Sequence, residues 1–429
     1  MQTQAGDSAA GRGASLAGDT ARAIGLRFAA TLATLTSLNH RLRPRKPRAV
    51  LLAVSIIGAM LQPDCGHAFS WDAAKTQASL ELVGEFQTSH KVPSVSVGAA
   101  LNGEGVLAKA LGADGSDAER VRYRIASVTK QFTAVAILAL IEDRTVIPKS
   151  RKPLTLDTPL GEIFPKIDPK SELGRIIVRQ LLTMTSNLPN FTNDPLFFDP
   201  GEAGQAPATK PIGTLELVEH LRKYKPIKGK PTFIYSNTNY FALAMIIAVL
   251  KRDEHPPQTP PISVVRDYMR DRLFARAGMT MSGFLGEKAP AGTVDARPNH
   301  KHTPMFHSGA WAEGAGDIVS TVSDVTRWNI ALMSGKIINE AMLQTMLTPA
   351  SPVVSAGPYK GWRYAMGWYV LDMRDYRLYQ HDGIFSGFRA SNAIGRRSDG
   401  SWMSATFLAN SDLPVDFIRL VRRMIEIGN

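Results

Sequence analysis

Cysteine is nearly absent: Cys65 is the one such residue among 429. With no second thiol the chain closes no intrachain disulfide, and it builds no thiolate cage for zinc or an iron–sulfur cluster. Long apolar runs are missing too. The longest, residues 49–61 (AVLLAVSIIGAML), falls short of the ~20 residues that a membrane-spanning helix needs. There is no Gly-x-Ser-x-Gly elbow, no glycine-rich phosphate loop and no His-Glu-x-x-His pair, so several familiar hydrolase and nucleotide-binding signatures are excluded. Acidic residues are the scarcer charge, 38 against 50 Lys plus Arg, a net charge of +12. Such an excess fits a nucleic-acid or membrane partner unless its location has another explanation. What is present is ordinary: 44% apolar and 21% charged residues, the balance of a globular chain with material for a large core. The length allows two or three compact units, or one large unit with an inserted subdomain.

The location of the charge supplies part of the explanation. Arg41 to Arg48 reads RLRPRKPR and runs directly into the apolar stretch, and Gly66-His67-Ala68 follows. Basic, short apolar, then small is the order of a secretory signal peptide, with cleavage expected after Ala68. The protein is then expected in the periplasm or outside the cell, touching a membrane only through this segment. An uncleaved signal anchoring it in the inner membrane is the alternative. Cys65 is not read as a lipid-acylation site, because Gln62, Pro63 and Asp64 are not the small or aliphatic residues such a site wants. Residues 1–40, rich in Ala, Gly, Thr and Ser, stand outside the signal pattern as an extension. Residues 1–68 hold 8 basic and 3 acidic residues, so the remaining 361 carry 42 and 35, net +7, and no cysteine. That remainder does not argue for nucleic acid, and the lysines at 223, 225, 228 and 230 read as a solvated face.

Beyond residue 69 no fixed-period repeat or low-complexity linker occurs. Residues 94–111 read as two strands around Asn-Gly-Glu-Gly, a hairpin by composition. In residues 126–145 the apolar positions Phe132, Val135, Leu138 and Ile141 recur at helical spacing, with Ala and Leu between them, which predicts a helix buried nearly all round. From about 146 to 309 helical segments (176–184, 214–223, 239–251, 262–276) alternate with Pro- and Gly-rich loops. Strand patterns return after 363 in YAMGWYVLDM, YRLYQ, FRASNAIGRR and SWMSATFLAN, and DFIRLVRRMIEI closes the chain as an amphipathic helix. Strands at both ends with helices between predict one mixed α/β unit whose sheet joins distant parts of the chain. Its α/β part covers about 69–145 and 310–429 and its helical part about 146–309, with a cleft between them for a substrate.

Three short patterns carry chemistry. Ser127-Val128-Thr129-Lys130 sets a hydroxyl and an amine three residues apart on one helix face. A serine becomes nucleophilic when a base takes its proton, and a lysine serves as that base when an apolar setting lowers its pKa from ~10.4. Alone, the pair reads more simply as a capping serine and a surface lysine. Tyr235-Ser236-Asn237 stands where a strand-like stretch turns into an apolar helix, so Tyr235 can shuttle protons and Asn237 can hold a lysine or a substrate amide. The bland alternative is a helix N-cap with a half-buried tyrosine. His381-Asp382-Gly383 precedes Ile384 at the end of a late strand, where a glycine permits close approach of a substrate to backbone N–H groups.

Taken in order, these patterns resemble the penicillin-recognising serine hydrolases: class C β-lactamases and the related D-alanyl-D-alanine carboxypeptidases, esterases and D-aminopeptidases. The resemblance runs from about residue 85 to the C-terminus. YRIASVTKQFTA surrounds the nucleophile as in the family, LTLDTPLGEIFP and VRQLLTMTSNLPNF are similar to its following segments, and GAGDIVSTVSDVTRW is similar to its GGLxST stretch. The implied fold is α/β of the α+β type: an antiparallel sheet flanked by helices, with an inserted helical subdomain, β-lactamase/transpeptidase-like. The implied chemistry is acyl transfer without metal or organic cofactor. Ser127 attacks a carbonyl, Lys130 and Tyr235 handle the protons, and Asn237 orients Lys130 and the substrate. The backbone N–H groups of Ser127 and Ile384 form the oxyanion hole, and His381 takes the place of a family Lys or His.

The departures bear on specificity. Asp382 stands where the family often has Thr or Ser to bind a substrate carboxylate. Facing the cleft, its charge repels penicillins and peptides with a free C-terminus and favours neutral esters, amides or an amine-bearing substrate. Pointing away, it bonds its own loop. Met184 and Asn187 replace a usual His and Gly, so Asn187 must accept a left-handed backbone, and altered local packing is expected. His300, His302 and His307 lack a further ligand at a zinc spacing and read as solvated. The expected protein is an exported serine hydrolase acting on a small ester, amide or D-amino-acid peptide. A β-lactamase is the runner-up, and a penicillin-binding sensor with little turnover is the alternative of another class. The sequence does not specify the number of copies in the assembly.

Overall fold

Asn102 and Gly103 take the left-handed backbone, φ +47° and +100°, that a two-residue hairpin turn requires. They join strand β1 (Ser94–Leu101) to β2 (Glu104–Gly112). The computed structural model describes residues 69–429 except 113, 115–116, 194–197, 200–205, 208–217, 220, 231, 300–311, 386 and 412–416. The expected signal segment, much of the helix expected over 214–223, and His300, His302 and His307 lie outside the described residues. Helix α1 (Ala73–His90) comes before the hairpin, its N-terminus capped by Asp72, whose carboxylate accepts from the Lys75 N–H at 2.8 Å.

After the hairpin come β3 (Val121–Arg124), a 3₁₀ turn (Ala126–Val128) and α2 (Thr129–Glu142). Every residue of α2 from Thr129 to Leu140 is buried, as its all-round apolar text predicts. The helical part comprises α3 (Leu160–Ile163), α4 (Val178–Leu182), the short pair β4 (Phe198–Asp199) and β5 (Ala206–Pro207), α5 (Asn237–Leu250) and α6 (Pro261–Met269). A π-helical turn (Arg270–Phe274) and α7 (Ala275–Ala277) complete it. Strands β6 (Gly283–Phe284), β7 (Val294–Asp295) and β8 (Ile318–Thr321) then join β3 in a small sheet of order β6-β8-β3-β7. Helices α8 (Val322–Met333) and α9 (Glu340–Leu347) precede β9 (Arg363–Tyr364), β10 (Tyr369–Asp372), β11 (Arg377–Phe385), β12 (Phe388–Arg396) and β13 (Trp402–Ala409). The chain closes with α10 (Phe417–Gly428).

The principal sheet has seven strands, all antiparallel, in the order β2-β1-β13-β12-β11-β10-β9. Its first and last long strands are neighbours, so the two ends of the domain close the sheet together. Strand periodicity assigns the helices to its faces. Gly98, Asn392 and Thr406 share one face by register, and there Thr326 of α8 presses on Gly98 while Gln131 of α2 bonds Asn392. Gly395 and Met403 belong to the other face and meet Ile425 and Gly428 of α10. Phe417 of α10 packs on Phe86 of α1 at 5.2 Å, so the terminal helices cover that second face together. This is the antiparallel sheet flanked by helices that the resemblance implies.

Strand β11 is longer than its partner β10, which ends its pairing at Gln380. The half of β11 from His381 to Phe385 is therefore hydrogen-bonded to β12 on one side and has an unpaired edge on the other. That free edge is one wall of the site.

Candidate active site

Ser127 lies in the 3₁₀ turn that opens α2, and Ala126 before it is held at φ +47°. A left-handed backbone costs an L-residue roughly 1–2 kcal/mol, and such strain concentrates where a side chain must be aimed. The Lys130 amine, one turn on, donates to Ser127 Oγ at 2.9 Å and to the Ala315 carbonyl at 2.8 Å. Tyr235 donates its hydroxyl to the same Oγ at 2.8 Å, and Lys130 Nζ stands 5.0 Å from the centre of the Tyr235 ring. One oxygen is thus held between two proton carriers.

The surroundings set the charge states of those carriers. Lys130 is fully buried, and desolvation pulls its amine well below the ordinary lysine value, with the Asp382 carboxylate pulling back. Burial pushes the Tyr235 phenol above its usual range, the Ser127 hydrogen bond opposing. His381 is buried and depressed to about 3, by desolvation first and by Lys130 second. Its Nδ1 lies 2.7 Å from the Asp382 carbonyl; a carbonyl only accepts, so Nδ1 carries the proton and Nε2 the lone pair. Near neutral pH the imidazole is a neutral group.

One expectation is corrected. Lys130 is not oriented by Asn237: its second partner is the Ala315 carbonyl, while the Asn237 amide donates to Thr192 at 3.2 Å and its N–H to Asn190 at 3.0 Å. The pattern around Asn237 shows no contact with a residue 107 positions earlier, and helix α5 turns that amide toward residues 190–192. Gly383 permits a close approach of protein: a Cβ there would stand 2.1 Å from the Ile125 carbonyl. The missing side chain lets β11 lie against the Ile125–Ala126 backbone, which brings Ile384, 64% exposed, onto the strand beside Ser127.

The stretch 184–192 has a larger part than packing. Met184 and Asn187 both adopt left-handed backbone, φ +58° and +59°. The Met184 carbonyl accepts from the Ile234 N–H at 3.0 Å and its sulfur from the Ser236 N–H at 3.5 Å, bracketing Tyr235. Asn187 pins the preceding loop through Ile227 and Thr232. Ser236 and Thr238 hydroxyls both donate to the Pro189 carbonyl. Tyr235 is aimed by this seam.

Asp382 is bonded from outside its own loop. Its carboxylate accepts from the Tyr359 hydroxyl at 2.8 Å, and it remains within electrostatic reach of Lys130 and Tyr235. Burial raises its pKa, opposed first by the Tyr359 bond. Tyr359 stacks on Tyr369, ring centres 3.6 Å apart, and Tyr369 lies 5.2 Å from the His381 ring. Sequence reading missed Ala315, Tyr359 and Tyr369. Ala315 lies inside the family-like GAGD stretch, but nothing in the text marks a carbonyl as a partner. Among the described residues no group of three or more His, Cys, Asp or Glu side chains is placed to hold a metal ion, and no helix is long and apolar enough to cross a membrane.

An antiparallel sheet with helices on both faces, and Ser-x-x-Lys meeting the tyrosine of Tyr-x-Asn and the His-x-Gly run beside the unpaired half of β11, define a β-lactamase/transpeptidase-like fold. The model of the beta-lactamase family matches residues 81–427, and the chain belongs to that family. It is 26% identical over 279 residues to PbpX of Bacillus subtilis (strain 168), a protein named for penicillin binding, covering 64% of this chain and 59% of that one. The chain thus spans less than two thirds of that relative's length. Among solved structures it is similar to the octameric penicillin-binding protein homologue from Pyrococcus abyssi (TM-score 0.64, 21% identity, 82% of this chain and 77% of that one). It is also similar to the D-amino acid amidase from Ochrobactrum anthropi SV3 (TM-score 0.60, 24% identity, 83% and 99%). At these identities the two likenesses are of fold.

Proposed function

We propose that this protein is an exported serine hydrolase that cleaves an ester or amide bond of a small substrate, a D-amino-acid derivative among the candidates, through an acyl-Ser127 intermediate. The observation that carries the reading is the pair of hydrogen bonds on Ser127 Oγ, from a fully buried lysine at 2.9 Å and a half-buried tyrosine at 2.8 Å. Neutral Lys130 takes the Ser127 proton as Oγ bonds to the substrate carbonyl carbon. The N–H groups of Ser127 and Ile384 receive the developing oxyanion, each donor contributing roughly 3 kcal/mol to the transition state. As the tetrahedral intermediate collapses, Tyr235 passes a proton to the departing alkoxide or amine. Water then attacks the acyl-enzyme, its proton goes to the Lys130–Tyr235 pair, and Oγ leaves protonated. The net reaction is ester or amide plus water to acid plus alcohol or amine. Export rests on the basic, apolar and small order of residues 41–68.

The test is to incubate the full chain with a fluorophosphonate, a labelled penicillin, a chromogenic cephalosporin and short-chain nitrophenyl esters, locating adducts by mass spectrometry. A fluorophosphonate adduct on Ser127, ester turnover, and loss of both in Ser127→Ala are expected. Turnover that survives Ser127→Ala removes the reading. Rapid release of a penicillin adduct moves the assignment to a β-lactamase, and a persistent one to a penicillin-binding sensor.

A further inference from the structure

Across α5 from the nucleophile lies a cavity of about 320 Å³, within the size range of small-molecule sites. At about 100° per residue, Thr238, Phe241, Ala242 and Met245 of α5 share one stripe, and that stripe is a wall of the cavity. Tyr240 leaves the helix in roughly the opposite direction, with Lys130 Nζ 5.7 Å from its ring centre. The helix therefore stands between this cavity and the catalytic lysine. Leu160 and Leu173 belong to the facing wall. Thr238, the polar member of the stripe, has its hydroxyl engaged with the Pro189 carbonyl at 2.6 Å and the Phe191 N–H at 3.0 Å. These walls offer an occupant apolar contact.

The rim has another character. The charged residues lining the cavity, Lys166, Glu219 and Arg222, all reach solvent. Glu219 accepts from Arg222 at 2.6 Å and lies 3.9 Å from Lys166 Nζ, so two cations share one carboxylate. Arg222 is braced by a further bond to the Lys166 carbonyl at 3.0 Å. The Lys166 ammonium is beyond hydrogen-bond length from Glu219, and its side chain is 75% exposed, which leaves it able to turn toward an anion. Residues 218–230 extend the excess, with five Lys and Arg against one acid. Apolar walls under a cationic rim complement a molecule with a long apolar chain and an anionic end: the chain leaves water while the head keeps its charge at the surface. A cationic head in the same place meets like charge.

We propose that this cavity binds a single-chain amphiphile with an anionic head, of the fatty-acid class, at a site separate from Ser127. It stands independently of the acyl-Ser127 reading. The test is calorimetric titration of the full chain with dodecanoate below its micellar concentration, beside octanoate, dodecyltrimethylammonium and vesicles of anionic phospholipid. Saturable binding of dodecanoate is expected, with octanoate weaker by roughly threefold or more per carbon removed and the cationic amphiphile weaker by roughly 3- to 10-fold. Ala242→Trp fills the cavity and is expected to abolish binding. Lys166→Glu, on an exposed side chain, is expected to weaken dodecanoate and strengthen the cationic amphiphile, each by roughly 3- to 10-fold. Circular dichroism checks that both variants are folded; if Ala242→Trp is not, the exchange of head preference in Lys166→Glu decides alone. Lack of saturable dodecanoate binding overturns the proposal, and so does equal affinity for the two head charges, a head preference unmoved by Lys166→Glu, or binding that survives Ala242→Trp. Binding to the vesicles without binding to dodecanoate in solution overturns it in favour of a membrane-surface contact.

Discussion

The two walls of the site expose their ionisable groups to water to different degrees. On the α2 side, Lys130 is sealed from water between Ser127, the Ala315 carbonyl and the rings of Tyr235 and Tyr240, and burial pulls its pKa well below the ordinary lysine value. On the β11 side, Asp382 is half-buried at an open strand edge, where burial raises its pKa and the hydrogen bond from Tyr359 opposes that rise. The first arrangement suits proton transfer, which needs a group poised to change protonation state. The second leaves a carboxylate at an edge that water still reaches. The distance of each side chain from water, more than its residue type, separates the two roles.

The sharpest way to break this contrast is to place a permanent charge on the dry wall. Lys130→Arg keeps a cation able to reach both Ser127 and Ala315, but a guanidinium does not deprotonate. It is expected to cut kcat/KM by roughly 10³- to 10⁴-fold. Activity within tenfold of wild type, measured on a nitrophenyl ester, would show that Lys130 serves by charge and not as the base. In the wild type the acid limb of the pH profile belongs to Lys130: rate falls as pH drops through its depressed pKa, well below the ordinary lysine range.

Next in size is the effect of His381 on stability. Its folded pKa of about 3 lies below the ordinary 6.5, so between those values the unfolded chain binds the proton. Stability is full above pH 6.5 and is lost toward pH 3, by roughly 4–5 kcal/mol in the limit. Urea unfolding of His381→Gln across this range is expected to show a flatter acid loss, and an unchanged slope would contradict the buried neutral imidazole.

Beneath the dry wall, Asn392 donates to Gln131 and Asn329 at 2.9 Å each and accepts from Thr406 at 2.8 Å, tying α2, α8 and the sheet together. Asn392→Ala strands these partners in the core and is expected to lower unfolding free energy by about 2–3 kcal/mol, read from denaturant midpoints. A loss under 0.5 kcal/mol would show the network to be slack.

The smallest effect sharpens the comparison from behind Ala315. Asp317 is buried, accepts from the Gly314 N–H at 3.1 Å, and is raised to about 6 by desolvation, with Arg266 opposing. A carboxyl raised in the folded state costs stability when ionised, so the cost is present above pH 6 and disappears toward pH 3.8. Asp317→Asn keeps an acceptor for Gly314 and is expected to gain about 1 kcal/mol at pH 7.5 and nothing at pH 4. A variant that is less stable at both pH values would show that the Arg266 contact outweighs desolvation.

How much was legible follows from how far apart the interacting residues lie. The helix carrying Ser127 and Lys130 was readable because its signal is local: apolar spacing and a pair three residues apart. The hairpin at Asn102-Gly103, the strands after 363 and the amphipathic α10 were readable for the same reason. Helix α1, whose apolar residues form no clear stripe, was not read at all, and neither were β3 and β8, at four residues each. Ala315, Tyr359 and the network of Asn392 lie 185, 23 and 261 residues from their partners Lys130, Asp382 and Gln131. No periodicity connects positions so far apart. A glycine in text says that something comes close, not what, so the approach of the Ile125 carbonyl to Gly383 was not readable.

By itself the sequence determined the chemical inventory: a hydroxyl and an amine on one helix face, a tyrosine at the mouth of another helix, and a His-Asp-Gly run on a late strand, in an order that belongs to one family. Tertiary structure decided what each group does. It buried Lys130 until its charge became costly, chose Ala315 over Asn237 as its anchor, and left Asp382 at an edge that water still reaches. Burial and electrostatic reach depend on every element packed around a residue, and no local stretch of sequence specifies them.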